Sequence, residues 1–335
     1  MKRIGRIGAF ALLLALTLAT SAHAQTKVRL AVGGKPAMFY LPLTVVERLS
    51  YFKDAGLDVE ISDFPGGARA LQSLIGGSAD VVAGAFDHTI QMQAKGQSIV
   101  AVVELGQFPG FVLGILTAKA GTYRNHADLK GFKIGITAPG SSTHFMARYL
   151  MAQAGLKDDD AAFIGIGAGP TAVAAARRGE IDALVNVDPV ISLLESERAI
   201  KVVADTRTLE GTRQVYGGNY PAAVIYVTPA YAQANSATVQ ALTNAMVRGL
   251  RWIAAHSPQE IADVMPAEYA LGDRDNYVRS IKNSMAMFSP DGRFGGEGPE
   301  VALKVLSKFD ADVQKASINL SATYTEAFVD KVPPR

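Results

Sequence analysis

Hydrophobic positions from residue 28 onward come in short runs that switch between two periods. Val28-Arg29-Leu30-Ala31-Val32 is β-branched and partly alternating, which predicts a strand broken by Gly33-Gly34-Lys35-Pro36. Leu43 to Leu49 then reads as a helix, Leu57 to Ile61 as a strand and Ala68 to Ile75 as a helix stopped at Gly76-Gly77. Asp80 to Ala83, the helix His88 to Lys95 and the strand Ile99 to Glu104 continue the alternation. Strands alternating with helices predict parallel sheets covered on both faces.

The pattern repeats further on. Phe132 to Thr137, Phe163 to Ile166, Ile181 to Asn186 and Val202 to Ala204 are strands, with helices over His144 to Ala154 and Thr171 to Arg178. Two extended segments, Phe111 to Thr117 and Ala222 to Thr228, bracket this second unit and mark it as an insertion. The expected division is a first lobe from 25–114 and 224–335 and an inserted lobe from 115–223. After Pro229 the pattern is helical, over Ala237 to His256, Pro258 to Met265, Arg274 to Met287 and Pro299 to Ala316. Val332-Pro333-Pro334-Arg335 reads as a frayed tail.

The first 24 residues change the picture. Lys2, Arg3 and Arg6 precede an apolar run from Ala9 to Ala19, and Ala22-His23-Ala24 supplies small residues for cleavage before Gln25. This is the form of a secretory signal peptide, and the run is short for a membrane anchor. An exported protein, free in the periplasm, is expected. The chain has 335 residues, 33 basic and 31 acidic; without the three basic residues of the leader the balance is 30 to 31. No nucleic-acid surface is indicated. With no cysteine there is no disulfide, thiol nucleophile, cysteine-ligated zinc, iron–sulfur cluster or lipoprotein anchor. The five histidines show no metal-ligand spacing, and no hydrolase, zinc-protease or Walker motif occurs. Neither a cofactor nor a metal is expected.

Four stretches, in order, resemble the periplasmic binding proteins of the nitrate/sulfonate/taurine group, which includes the pyrimidine-precursor (NMT1/THI5-like) proteins. The first runs from Leu41 to Glu60 and contains Tyr51-Phe52-Lys53-Asp54-Ala55-Gly56-Leu57-Asp58-Val59-Glu60, with Ser50 where the family usually has glycine. The others are Ala70 to Val81, then Asp128 to Gly135 with Gly140 to His144, and Ala174 to Ala183. Independently of the name, Gly56 and Gly179 sit where a helix gives way to a strand, the place for a left-handed cap. The resemblance implies an α/β, two-lobed binding-protein fold (type II), each lobe a mixed, mainly parallel sheet with helices on both faces. It implies capture of a small solute, as a monomer, for the membrane permease of an ABC transporter. The alternative is a periplasmic enzyme reusing the same fold. The eukaryotic synthases of this fold carry a cysteine-rich iron motif, which a chain without cysteine cannot have.

Ligands in such folds bind beyond the carboxyl ends of the strands. Gly140-Ser141-Ser142-Thr143 follows a strand and opens a helix, so free N–H groups and hydroxyls suit an anion such as a carboxylate or sulfonate; an ordinary Ser/Thr N-cap gives the same pattern. His144 follows in the first turn. Lys35, Met38, Phe39 and Tyr40 form a first wall, or staple the next helix to the sheet. Phe86 and Asp87 follow the third strand, to stack on a ring and to cap the helix. Asp188 ends a strand in the second lobe, where it repels an anion unless it binds an amino group or pairs with a base. Asn219 lies before the return crossover. Gly165 to Gly169 imitates a dinucleotide loop, but Pro170 occupies the place of the third glycine. The expected ligand is a small organic anion, a sulfonate or carboxylate, with an apolar or aromatic body.

Overall fold

A computed structural model describes residues 25–334. The leader reading for residues 1–24 lies outside the described residues. Ten strands form two five-stranded sheets. The first contains β1 (Thr26–Gly33), β2 (Leu57–Phe64), β3 (Val81–Ala85), β4 (Val100–Glu104) and β10 (Ala223–Val227) in the order β2-β1-β3-β10-β4. The second contains β5 (Val112–Leu116), β6 (Lys133–Ile136), β7 (Ala162–Gly165), β8 (Ala183–Asn186) and β9 (Ile200–Asp205) in the order β7-β6-β8-β5-β9. In each sheet four strands run one way. The fifth, β10 or β5, is antiparallel to both neighbours.

Each reversed strand is the first that its sheet receives after a crossover. β5 is reached directly from the first sheet yet pairs with β8 and β9, so residues 112–114 hydrogen-bond within the second sheet. The crossover therefore runs between Glu104 and Val112, ahead of the division expected at 114/115. All of 112–116 is buried, so no alternation indicated which sheet owns it. The two crossovers bind each other: Leu105 N–H donates to the Ala223 carbonyl at 2.7 Å and Thr206 N–H to the Phe111 carbonyl at 2.8 Å.

Helices cover both sheets. Leu41–Arg48 buries Leu41, Leu43, Val45 and Val46. It packs under the 20-residue helix Ser236–Ala255, where Gly249 allows close approach: a Cβ there would lie 2.3 Å from Val46 Cγ2. Ser50 adopts φ +60°, a left-handed conformation in which a side chain carries strain. The helix expected over 299–316 is two, Gly298–Leu306 and Ala311–Lys315; Asp310 breaks it by accepting bonds from the N–H groups of Asp312 and Val313. The helix Leu209–Tyr216, capped by Thr208, was not apparent from the pattern. The tail expected to fray is held instead, with Arg251 donating to the Pro333 carbonyl at 2.8 Å. Among the described residues no helix is long and apolar enough to cross a membrane.

Candidate functional site

Strands β1, β3, β6 and β8 all point their carboxyl ends at the gap between the lobes. The loops after them line a narrow cleft with an empty volume of about 350 Å³. Gly33, Ala37, Phe39, Tyr40, Gly67, Ala85 and His88 come from the first lobe. Phe111, Thr137, Ser141, Ser142, Thr143, Ala168 and Val187 come from the crossover and the second. No lysine or arginine is among them.

Two helix N-termini meet here. Gly67–Ile75 begins on the first lobe and Ser142–Gln153 on the second. They touch directly, Ala68 N–H donating to Ser141 Oγ at 3.0 Å. The approach depends on absent side chains. A Cβ on Gly33 would lie 2.2 Å from the Gly67 nitrogen, and one on Gly66 2.9 Å from Ala138 Cβ. Both helices therefore present their positive ends to one small space, which favours negative charge without a formal cation.

The expected hydroxyl donors are engaged within the protein. Ser142 Oγ donates to Asp87 Oδ1 at 2.7 Å, linking the lobes. Thr143 Oγ1 accepts from Thr137 N–H at 3.1 Å and lies 2.8 Å from the Thr137 hydroxyl. Asp87 is buried, and its second oxygen accepts from Tyr220 at 3.1 Å. Burial raises its pKa, against His88, Ser142 and Tyr220, which favour the ionised form. It sits behind the cleft wall. His88 reaches the lining: burial lowers its pKa, opposed by Asp87 and the Gly140 backbone, and its Nε2 makes no hydrogen bond. Tyr226 holds the other ring nitrogen at 3.4 Å.

Aromatic residues supply the body of the site. Phe39 stacks on Phe111, with ring centroids 5.4 Å apart across the lobe boundary. Phe86 is instead core, wholly buried against Phe294 and Tyr324. Met38 is buried too, and its N–H reaches across to the Asp188 carbonyl at 2.7 Å. Asp188 lies beside a base, though its Oδ2 makes no hydrogen bond. Its Oδ1 accepts from Ser192 N–H and Oγ at 2.8 and 2.7 Å, and Arg207 lies 3.8 Å from Oδ2. Arg207 also holds Glu195 and Asp205, each at 2.7 Å. Burial raises the Asp188 pKa, and Arg207 pulls it back.

Three further candidates stand off the cleft. The Lys35 ammonium pairs with Glu47 at 2.6 Å. The His144 ring packs on Phe163, and its Nδ1 accepts from Gly140 N–H at 3.0 Å. Burial, with help from Arg148, lowers His144 to about 4. Asn219 lines a different chamber at the hinge. Sequence reasoning did not select His88, Phe111, Thr137 or Ala168 for the site. Ala168 lies in the dinucleotide-like loop, whose Pro170 begins the helix Pro170–Arg177.

The model of the family described as NMT1/THI5 like matches residues 40–261. The chain belongs to the NMT1/THI5-like family. Among solved structures, this family member is 47% identical to CAE31940 from Bordetella bronchiseptica RB50, covering 92% of this chain and 97% of that one with a TM-score of 0.89. The alkanesulfonate-binding protein SsuA from Xanthomonas axonopodis pv. citri, bound to MOPS, shares the fold at 19% identity, with a TM-score of 0.66 over 90% of this chain and 98% of that one. YtlA of Bacillus subtilis (strain 168) is 24% identical over 85% of this chain and 84% of its own length. The two-lobed binding-protein fold that the four sequence stretches implied is thus present.

Proposed function

We propose that this NMT1/THI5-like protein is the exported, periplasmic solute-binding component of an ABC importer. It captures a small organic anion between its lobes and presents the closed form to a membrane permease. The observation that carries this reading is the meeting of two helix N-termini, at Gly67 and at Ser141-Ser142, in one enclosed cleft. Backbone N–H groups there suit a carboxylate or sulfonate oxygen, while the neutral imidazole of His88 offers an unengaged nitrogen. The Phe39–Phe111 stack suits an apolar or aromatic body. The absence of a lining lysine or arginine favours one diffuse charge over a compact, strongly hydrated anion.

Calorimetry with aryl carboxylates, alkanesulfonates, taurine, nitrate and pyrimidines tests the reading. An organic acid is expected to bind tightly and be recovered chemically unchanged, and Phe111→Leu to weaken an aryl acid by about tenfold. Tight binding of nitrate alone would remove the role of the aromatic pair. Chemical turnover of the bound compound would favour the enzyme.

A further inference from the structure

The hinge contains a second chamber, distinct from the cleft, with an empty volume of about 570 Å³. Glu104 at the end of β4, Gln107 on the outward crossover and Asn219 on the return crossover contribute to its lining. Asp291 and Arg293 close it from the C-terminal layer.

Its polar groups are unbalanced. Glu104 is 3% exposed, yet its carboxylate has no hydrogen bond or ion pair among the described residues. Asn219 Oδ1 is also buried without a partner. Gln107 spends its Nε2 donor on the Phe288 carbonyl at 3.2 Å. Arg293 is held by Glu326 and Asp330 at 2.6 and 2.7 Å, and remains 3.9 Å from Asp291. Buried carboxylates are normally paired. Here the unengaged groups are Asn219 Oδ1 and the Glu104 carboxyl, which burial beside Asp291 and Glu326 pushes toward its protonated form unless a cation joins it; Asp291 Oδ1 already accepts from the Arg293 N–H at 3.1 Å.

We propose that this chamber is a second binding site, for a small organic ammonium, whose N–H donors meet Glu104 and Asn219 Oδ1 with Asp291 beside them. A protonated primary amine has three donors and no acceptor, which complements this set. No group of three metal-ligating side chains occurs among the described residues, and the chamber is larger than a bare ion requires. Because Gln107 and Asn219 lie on opposite crossovers, an occupant bridges the two segments about which the lobes rotate.

The test is titration of the full chain with n-butylammonium at pH 8 by calorimetry, with tetramethylammonium and sodium chloride as controls. Saturable binding of n-butylammonium is expected, with little of tetramethylammonium, which lacks N–H donors. Glu104→Gln keeps the shape and removes the group that can ionise against the ammonium, and should weaken binding by at least about tenfold. Asp291→Asn, at a half-exposed position, should weaken it severalfold and carries the test if Glu104→Gln does not fold. No saturable n-butylammonium binding, equal binding of tetramethylammonium, or unchanged affinity in the folded variants would overturn the proposal. The cleft's organic acid is left out of the titration, so the outcome does not depend on the transport reading.

Discussion

The Ser142 hydroxyl donates to Asp87 Oδ1 at 2.7 Å, from the first turn of a second-lobe helix to the first turn of a first-lobe helix. Tyr220, on the return crossover, holds the other oxygen of the same carboxylate. Closing the cleft therefore completes the solvation of a buried charge. A hydrogen bond to a charged group contributes about 1.5–3 kcal/mol. Ser142→Ala should shift the population toward the open form and reduce ligand affinity at least about tenfold. Thr143→Ala breaks bonds made only within the second lobe. It should lower the melting temperature and leave closure intact. Small-angle scattering beside calorimetry separates the two; equal effects on closure would refute this division.

Lys35 is neutralised by Glu47 away from the cleft lining. Lys35→Met should leave affinity within about twofold and stability within about 1 kcal/mol, as for partly exposed ion pairs. A tenfold loss of affinity would place the ammonium on the ligand.

His144 titrates near 4 in the folded chain, against an ordinary value of 6.5. Between those values the unfolded chain binds the proton and the folded chain does not. Stability is therefore full above pH 6.5 and declines as pH falls toward 4, by on the order of 2–3 kcal/mol for this residue. His88, also lowered, acts in the same direction and remains in the comparison. Urea denaturation at pH 7 and pH 4.5 should show a smaller acid loss in His144→Asn than in the parent. Parallel losses would assign the effect to other groups.

Ser50 holds φ +60° at the end of the helix Leu41–Arg48. Ser50→Gly relieves the side-chain penalty and should raise stability by about 1 kcal/mol, reduced by the greater freedom of glycine in the unfolded chain. Thermal unfolding reads it directly, and a lowered midpoint would contradict it.

The ten strands were legible because each apolar run is short and ends at a turn residue. Gly56 and Gly179 adopt φ +76° and +66° with nothing near the missing Cβ, as their place between helix and strand suggests. The cleft loops were legible for a topological reason: they follow the carboxyl ends of strands. What each side chain does there was not. Ser142 meets Asp87 across 55 residues of sequence, and Lys35 meets Glu47 over 12, so composition within a loop cannot show that a donor or a cation is already engaged. Phe111 reads as strand and His88 as helix until the two lobes are brought together.

The late arrival of β10 in the first sheet has a consequence for how the chain is made. The first sheet's β3 and β4 are joined only through β10, with Ala85 paired to Ala223. That sheet stays open until the chain has been extended past residue 227, more than a hundred residues after β4 emerges. The second lobe, contiguous from β5 to β9, has all its strands by Asp205, before β10 begins at Ala223. Vectorial synthesis thus favours the inserted lobe folding first, with the amino-terminal strands waiting as an unpaired edge. A chain arrested near residue 210 would hold all five strands of one sheet and four of the five of the other, lacking only β10 to join β3 to β4.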